Sequence, residues 1–383
     1  MAHVQDKETS TMPAESPLAS TPEPSREIND RFTKNEKWFI VSLTAAVGLF
    51  SPLTANIYFP AIPTLSQAFH KPTELINLTV TMYMILQGVA PMVWGPLSDN
   101  VGRRPTSAGC MIILALSCVG LALVPTSAFW LLMLLRCLQA AGSASTIAIG
   151  AGVIGDISTR AERGGFFGLF TIGPMVGPTI GPVIGGALSD HLGWRSIFWF
   201  LCISASMCLL MIVVFQPETL KTLSDAGRRP ILHRPIVPLI GRNKQTSNEM
   251  TTTATTRRAS KNPFRIFLNF DVDILLIISA LSCAVFYGVI TTISTLFVKA
   301  YPFLSETDIG LCFLAIGGGM TVGSVLTGRV LDREYQHFKQ RAEKCSTEKG
   351  SETSFDITRE ENFPLERVRL LRLCAVHNRL LNK

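Results

Sequence analysis

Long stretches without a charged residue constrain this chain more than any other feature. No Asp, Glu, Lys or Arg occurs between Lys37 and Lys71, or between Arg104 and Arg136. Only 16% of the 383 residues are charged, whereas a soluble domain carries about 25%. A helix of about 20 apolar residues crosses the hydrocarbon core of a bilayer. The sequence therefore predicts an all-α, polytopic membrane protein.

Eight stretches are long and apolar enough to span the membrane. Their predicted limits are 38–61, 76–98, 106–124, 128–152, 166–188, 196–216, 274–298 and 309–330. This spacing predicts a disordered cytoplasmic tail, a six-helix N-terminal bundle, a cytoplasmic linker, the first two helices of a C-terminal bundle, and a basic cytoplasmic tail. These five segments cover residues 1–37, 38–216, 217–273, 274–330 and 331–383.

The distribution of Lys and Arg predicts the orientation of the spans. The N-terminal tail, the 2–3, 4–5 and 6–7 loops and the C-terminal tail carry most of the loop cations, and the alternate loops carry few. Because cytoplasmic loops are enriched in Lys and Arg, both termini are expected in the cytoplasm. The net charge of +7 is then a topological signal, and nucleic-acid binding is not expected.

The sequence offers little support for enzymatic chemistry. It lacks a GxxxxGK[ST] phosphate loop, an HExxH metal motif and a CxxC pair. Only the fourth span carries an ionisable Asp, Glu, Lys, Arg or His deep within it, so a catalytic group of residues is hard to build. We therefore expect no enzyme activity, no cofactor and no metal.

The loop between spans two and three reads GPLSDNVGRRP over residues 95–105. Its glycines permit a tight turn, and Asp99 can accept hydrogen bonds from arginines or from a helix N-terminus. One interpretation is a charge latch that holds the cytoplasmic side in one conformation, and the other is an anchor for topology. The residues concerned are Gly95, Asp99, Gly102, Arg103 and Arg104.

Arg136 is the one permanently charged residue well inside a predicted span. Placing a cation there costs about 3 kcal/mol on insertion scales, so Arg136 must face a polar cavity or a partner. Gln139 lies one helical turn away on the same side. Arg136 is interpreted either as a fixed charge that lowers the pKa of a nearby acid or assists proton movement, or as a merely paired, snorkelling arginine.

Span five contains GPMVGPTIGPVIGGAL over residues 173–188. Glycines at every fourth position create a smooth groove that lets another helix approach closely. Span eight, with Gly319 and Gly323 four residues apart, is the predicted partner. The contact is interpreted as a hinge surface between two halves, or as packing without motion. The groove residues are Gly173, Gly177, Gly181 and Gly185, with Pro174, Pro178 and Pro182 beside them.

Three of these stretches together resemble motifs of the major facilitator superfamily. GPLSDNVGRR resembles the 2–3 loop motif of that family, and LLRCLQAAGSA over 134–144 resembles its span-four motif. GPTIGPVIGGAL over 177–188 resembles its antiporter motif. GWRSIFWF and QPETL, which follow, are similar to the fungal drug:proton antiporter branch with twelve spans. The aligned residues are Arg136, Gln139, Gly142, Gly177, Gly181, Pro182, Gly185, Gly186 and Leu188.

The resemblance implies a function and roles for these residues. It implies proton-coupled efflux of a drug or small amphipathic metabolite across the plasma membrane, by rocking of two halves within the lipid bilayer. Arg136, Gln139 and Gly142 would serve proton coupling and transport. The residues of the 2–3 loop would form the cytoplasmic latch, and the glycines of spans five and eight the hinge.

The resemblance also leaves alternatives open. The family implies twelve spans, and the tail segment FPLERVRL resembles the loop before a ninth span but is followed by RLCAVHNRLLNK. A truncated product is the simplest interpretation, and a non-transporting fragment is one alternative function. A proton symporter of a nutrient is the other, although the antiporter-type stretch in span five argues against it.

Overall fold

The structure is a computed structural model that describes residues 32–158, 162–220 and 270–320, with single positions between 322 and 333. Within these ranges every regular element is a helix. Most of the predicted N-terminal tail and of the central linker lies outside the described residues, as does nearly all of the C-terminal tail.

The helices follow the predicted spans in order. They are α1 (Lys34–Asn56), α2 (Thr73–Val101), α3 (Arg103–Leu123), α4 (Phe129–Ile157), α5 (Arg163–Leu192), α6 (Arg195–Phe215), α7 (Phe270–Ala300) and α8, which is helical over 306–320. A 3₁₀ turn (Phe59–Ala61) and a short helix (Ile62–Ala68) follow α1. Within the described ranges seven helices, α1 to α7, are long and apolar enough to cross a membrane. The first seven predicted spans are therefore confirmed, whereas nearly half of the predicted span 309–330, from residue 321 onward, is described only at single positions.

Several helices extend beyond the predicted limits because polar residues continue them outside the apolar core. At the start of α1, Thr33 Oγ1 accepts a hydrogen bond from the Glu36 amide at 3.4 Å. The Thr33 amide in turn donates to Glu36 Oε2 at 2.7 Å. This capping box satisfies two amides that lack partners within the helix. Hydropathy thus locates the membrane-facing part of α1, while the cap determines where the helix begins.

The six helices of the N-terminal half pack into one bundle. α1 lies along α5 and α4, α2 packs on α4, and α3 packs between α4 and α6. A large apolar cluster joins the segment after α1 to α3 and α6, with Tyr58, Phe59 and Phe198 among its fully buried members. α7 is different, because most of its Leu, Ile and Val side chains are exposed, although Ile290 is buried in this cluster.

Gly102 alone separates α2 from α3. Its φ of 120° lies in a region that side-chain-bearing residues rarely adopt. The prediction of a tight glycine turn in this loop is confirmed.

Candidate functional site

The glycine face of α5 packs against α1. A Cβ at Gly173 or Gly185 would overlap the carbonyl oxygen of Ala45 or Ile57, respectively, on or just after α1. A Cβ at Gly177 would lie 2.7 Å from Cγ of Pro52. The prediction that this glycine face packs on the eighth span is wrong, although the predicted contact between spans five and eight exists through another face of α5. A row of small residues permits close approach of any helix, and the face is occupied by α1 from the same half of the molecule.

α5 also contacts α8, but through its neighbouring face. A Cβ at Gly186 would overlap the carbonyl oxygen of Glu306, and a Cβ at Gly317 would overlap the side chain of Thr179. A Cβ added at Gly319 or Gly323 would meet no neighbouring atom of the described residues within 4 Å. These two glycines therefore do not form the predicted contact.

A further contact between α5 and α8 involves Pro182 and the end of α5. A Cβ at Gly310 would lie 2.5 Å from the Pro182 carbonyl oxygen, so backbone approaches backbone at that point. Nearby, the Thr307 hydroxyl donates to Asp190 Oδ2 at 2.7 Å. We call this contact the α5–α8 seam, formed by Thr179, Pro182, Gly186, Asp190, Glu306, Thr307, Gly310 and Gly317.

Arg136 on α4 is completely buried. Its Nη1 donates to Gln139 Oε1 at 2.6 Å, so the predicted neighbourhood of these two residues on one helix face is confirmed. The guanidinium carbon lies 4.1 Å from the ring centroid of Tyr58 and 4.4 Å from that of Tyr83. Aromatic faces attract a cation, and more strongly where water is excluded. Neither tyrosine was predicted from the sequence as a partner of Arg136.

Buried hydroxyl groups hold both tyrosines in place. Tyr58 Oη lies 3.1 Å from Thr79 Oγ1, and Tyr83 Oη lies 2.7 Å from Thr54 Oγ1 and 2.8 Å from Ser143 Oγ. These hydrogen bonds connect α2 and α4 with α1 and the segment that follows it. Polar residues one helical turn apart on an apolar helix, such as Thr79 and Tyr83 on α2, are the signal from which this network could have been predicted.

Gly142 lies on α4, between Gln139 and Ser143. A Cβ at this position would lie 2.6 Å from the amide nitrogen of Leu114 and 2.8 Å from the carbonyl oxygen of Cys110. Both atoms belong to the backbone of α3. Gly142 therefore allows close packing of α3 on α4.

The 2–3 loop brings together most of its predicted residues around Arg103. Arg103 Nη2 lies 2.7 Å from Asp99 Oδ1, Arg103 Nε lies 3.1 Å from Asp156 Oδ2, and Arg103 Nη1 donates to Ser98 Oγ at 2.5 Å. Asp156, which precedes the last residue of α4, was not predicted. Gly95 does not take part, because it lies earlier on α2, and a Cβ added there would meet no neighbouring atom within 4 Å.

Glu218, also missed in the sequence prediction, caps the start of α3. Its carboxylate accepts hydrogen bonds from the backbone amides of Arg103 at 2.9 Å and Arg104 at 3.2 Å. An anion at a helix N-terminus is stabilised by unpaired amides and by the helix dipole. Arg104 Nη2 donates to the Val213 carbonyl at 2.5 Å. The end of α6 is thus tied to the 2–3 loop.

Across the described ranges, no group of three or more His, Cys, Asp and Glu side chains has the proximity needed to hold a metal ion. The chemistry available in the site consists of one buried cation, a set of hydroxyls and the peripheral ion pairs.

Comparison with known proteins identifies a family to which this chain is similar. A sequence model of the Major Facilitator Superfamily matches residues 44–342. Citrate exporter 1 of Aspergillus niger is 38% identical over 88% of this chain and 65% of its own length. The multidrug transporter QDR2 of Candida glabrata is 36% identical over 80% of this chain and 53% of its own length. Quinidine resistance protein 1 of Saccharomyces cerevisiae is 35% identical over 80% and 55%.

The chain thus spans between about half and two thirds of the length of these relatives. Among solved structures, a bacterial homologue of the human lysosomal transporter Spinster is similar, with a TM-score of 0.58 at 16% identity. The match covers 79% of this chain and 64% of that chain. At this identity the likeness shows the fold.

Proposed function

The chain belongs to the Major Facilitator Superfamily, and on that premise we propose that it is a secondary active transporter that exports small amphipathic organic molecules in exchange for protons. The observation that carries the proposal is the completely buried guanidinium of Arg136, held against Tyr58 and Tyr83 in the N-terminal bundle. A buried charge inside a membrane bundle marks a pathway for ions or substrates. Relatives named as multidrug and quinidine resistance proteins support export.

Arg136 supplies the fixed charge in this proposal. A guanidinium stays protonated, so it influences proton binding elsewhere through its field and does not carry the proton itself. Gln139 holds one end of the guanidinium at 2.6 Å, and Gly142 keeps α4 close to α3. Through these contacts the three residues keep the charge in one place during transport.

Alternating access in this proposal uses the two ends of the bundle differently. The ion pairs of Arg103 with Asp99 and Asp156 tie α2, α3 and α4 together as a latch on the cytoplasmic side. The α5–α8 seam is the surface on which the C-terminal helices move relative to the N-terminal bundle. The backbone contacts at Gly186 and Gly310 support this role, since smooth surfaces can slide. We further place both termini in the cytoplasm and the protein in the plasma membrane.

The test of the proposal is transport by this chain in proteoliposomes. Quinidine and citrate serve as probes, because they appear in the names of the relatives. An imposed proton gradient should drive a probe against the direction of proton flow, and Arg136→Gln, which removes the fixed charge, should abolish the coupling. Movement in the direction of the protons would instead indicate a symporter. An absence of movement with either probe would indicate a non-transporting chain.

A second candidate function is the export of an organic acid. The relative with 38% identity is a citrate exporter, and the fixed cation in the bundle favours an anionic substrate. The two probes separate these candidates, because quinidine carries a positive charge and citrate carries negative charges.

A further inference from the structure

One edge of the buried Arg136 guanidinium has no hydrogen-bond partner. Nη1 donates to Gln139, but Nε and Nη2 have no partner among the described residues. The Nε and Nη2 hydrogens project from the planar group side by side as a two-pronged donor. Buried donors without partners are unfavourable and rare in folded proteins. Among the described residues, this edge is therefore an unsatisfied cationic group inside the bundle.

The neighbouring tyrosines hold the guanidinium without satisfying that edge. Tyr58 and Tyr83 contact it through their ring faces. Their hydroxyl groups are engaged with Thr79, Thr54 and Ser143 instead. The cation is thus positioned in advance, and a ligand would not have to order it.

No carboxylate of the described chain neutralises this charge. The electrostatic neighbours of Arg136 are Tyr58, Tyr83, Cys118 and Cys137, and none of them is an acid of the Asp or Glu type. Ion pairs of Asp and Glu in the described ranges, such as those with Lys37 and Arg103, lie at helix ends. In these ranges the positive charge therefore lacks a compensating anion.

We propose that the Nε–Nη2 edge of Arg136 binds the carboxylate of a small organic acid. The inference rests on the proposed function, because the acid would be the exported substrate. A carboxylate accepts two parallel hydrogen bonds from a guanidinium edge, which adds charge neutralisation to matching geometry. The edge is closed to solvent in this conformation, so the acid enters when the packing over it opens. An uncharged amphipathic molecule provides neither the negative charge nor the two parallel acceptors.

Binding is tested on the detergent-solubilised chain with citrate and succinate as probes, in excess sodium chloride. Succinamide, the uncharged diamide of succinate, is the matched ligand control. We expect at least one acid to bind and succinamide not to bind. Arg136→Lys keeps the charge but loses the fork, and should weaken binding of the acid about tenfold or more.

Arg195→Lys is the matched protein control. Arg195 also stacks on an aromatic ring, that of Trp194, but it lies at the first residue of α6. It should bind the acid as the unchanged chain does. Equal binding of acid and diamide, full binding by Arg136→Lys, or no binding of either acid to the unchanged chain would overturn the inference.

The binding assay is independent of transport. A chain that binds the acid through Arg136 but moves no probe would contradict the proposed function alone. A chain that exports quinidine against protons but does not bind either acid would contradict the inference alone.

Discussion

At the scale of the residue, single glycines determine how closely α5 can approach its neighbours. The consequences of adding a Cβ differ from one glycine to another along α5. At Gly185 it would overlap the Ile57 carbonyl, whereas at Gly181 it would lie 3.2 Å from the Ile57 amide nitrogen, where a small shift can accommodate it. At Gly168 it would meet no neighbouring atom within 4 Å. One substitution therefore has three different expected outcomes on one helix.

We predict that Gly185→Ala destabilises the protein by about 1–3 kcal/mol, the usual range for overpacking. Gly181→Ala should destabilise it less. Gly168→Ala should be neutral or slightly stabilising, because alanine favours the helix. Thermal unfolding in detergent measures all three variants. Equal stability of Gly185→Ala and Gly168→Ala would show that the contact with Ile57 is not close.

A second residue-scale prediction concerns Glu306, which precedes the predicted limits of the eighth span. Burial raises the pKa of the Glu306 carboxyl; the neighbouring Ser189 hydroxyl lowers this pKa in part, and the charge of Asp190 raises it. Its Oε2 has no hydrogen-bond partner among the described residues. Because the pKa is higher in the folded state than in the unfolded state, stability is lost as the pH rises from the unfolded-state value to the folded-state value.

Glu306→Gln should therefore raise the unfolding temperature more at about pH 7.5 than at about pH 4, the latter being close to the usual pKa of a glutamate. The difference between variant and unchanged protein is measured at both pH values. Glu74→Gln, at an exposed carboxylate in the first turn of α2, serves as the control and should change little. A gain that is equal at both pH values would contradict the prediction.

At the scale of the element, the start of α3 depends on a residue that follows α6. Glu218 accepts hydrogen bonds from two amides of the first turn of α3, which has no capping side chain of its own. Asp99, in contrast, is 61% exposed and pairs with Arg103 from the end of α2. Exposed ion pairs contribute little to stability. The two carboxylates are therefore expected to contribute differently to the free energy of unfolding, although both lie near the same loop.

We predict that Glu218→Ala lowers the free energy of unfolding by about 1 kcal/mol, as the loss of a helix cap does. Asp99→Ala should lower it by less. Chemical or thermal unfolding of the two variants provides the comparison. A larger loss in the Asp99 variant would show that the exposed ion pair, and not the cap, stabilises the loop.

At the scale of the whole molecule, the two groups of helices meet at the α5–α8 seam. The hydrogen bond from Thr307 to Asp190 is short, at 2.7 Å. α7 contributes little to this contact and keeps most of its apolar surface exposed. The seam is thus the place where relative movement of the two groups can be blocked by a covalent link.

If the seam opens during transport, a disulfide between Asp190→Cys and Thr307→Cys should stop export of the probe, and reduction should restore it. Each single variant under oxidising conditions is the control, and it should retain transport. Peptide mass spectrometry verifies the link. Undiminished export by the linked protein would contradict the hinge role of the seam.

The sequence alone determined where the chain crosses the membrane, how its helices are ordered and which family it resembles. Each of these properties depends on local composition or spacing, because every span must satisfy the bilayer by itself. The fourth span could be singled out for the same reason, since Arg136 is costly in lipid without a partner. Gln139, one turn away, was likewise predictable from the helical period.

Only the tertiary structure decided which surfaces meet. A glycine face permits close contact with any helix, so the pairing of α5 with α1 could not be derived from the face itself. The contact of Arg136 with Tyr58 and Tyr83, and of Arg103 with Asp156, joins residues far apart in the chain. Such pairs depend on how the whole bundle packs, and that packing is what leaves one edge of Arg136 without a partner among the described residues.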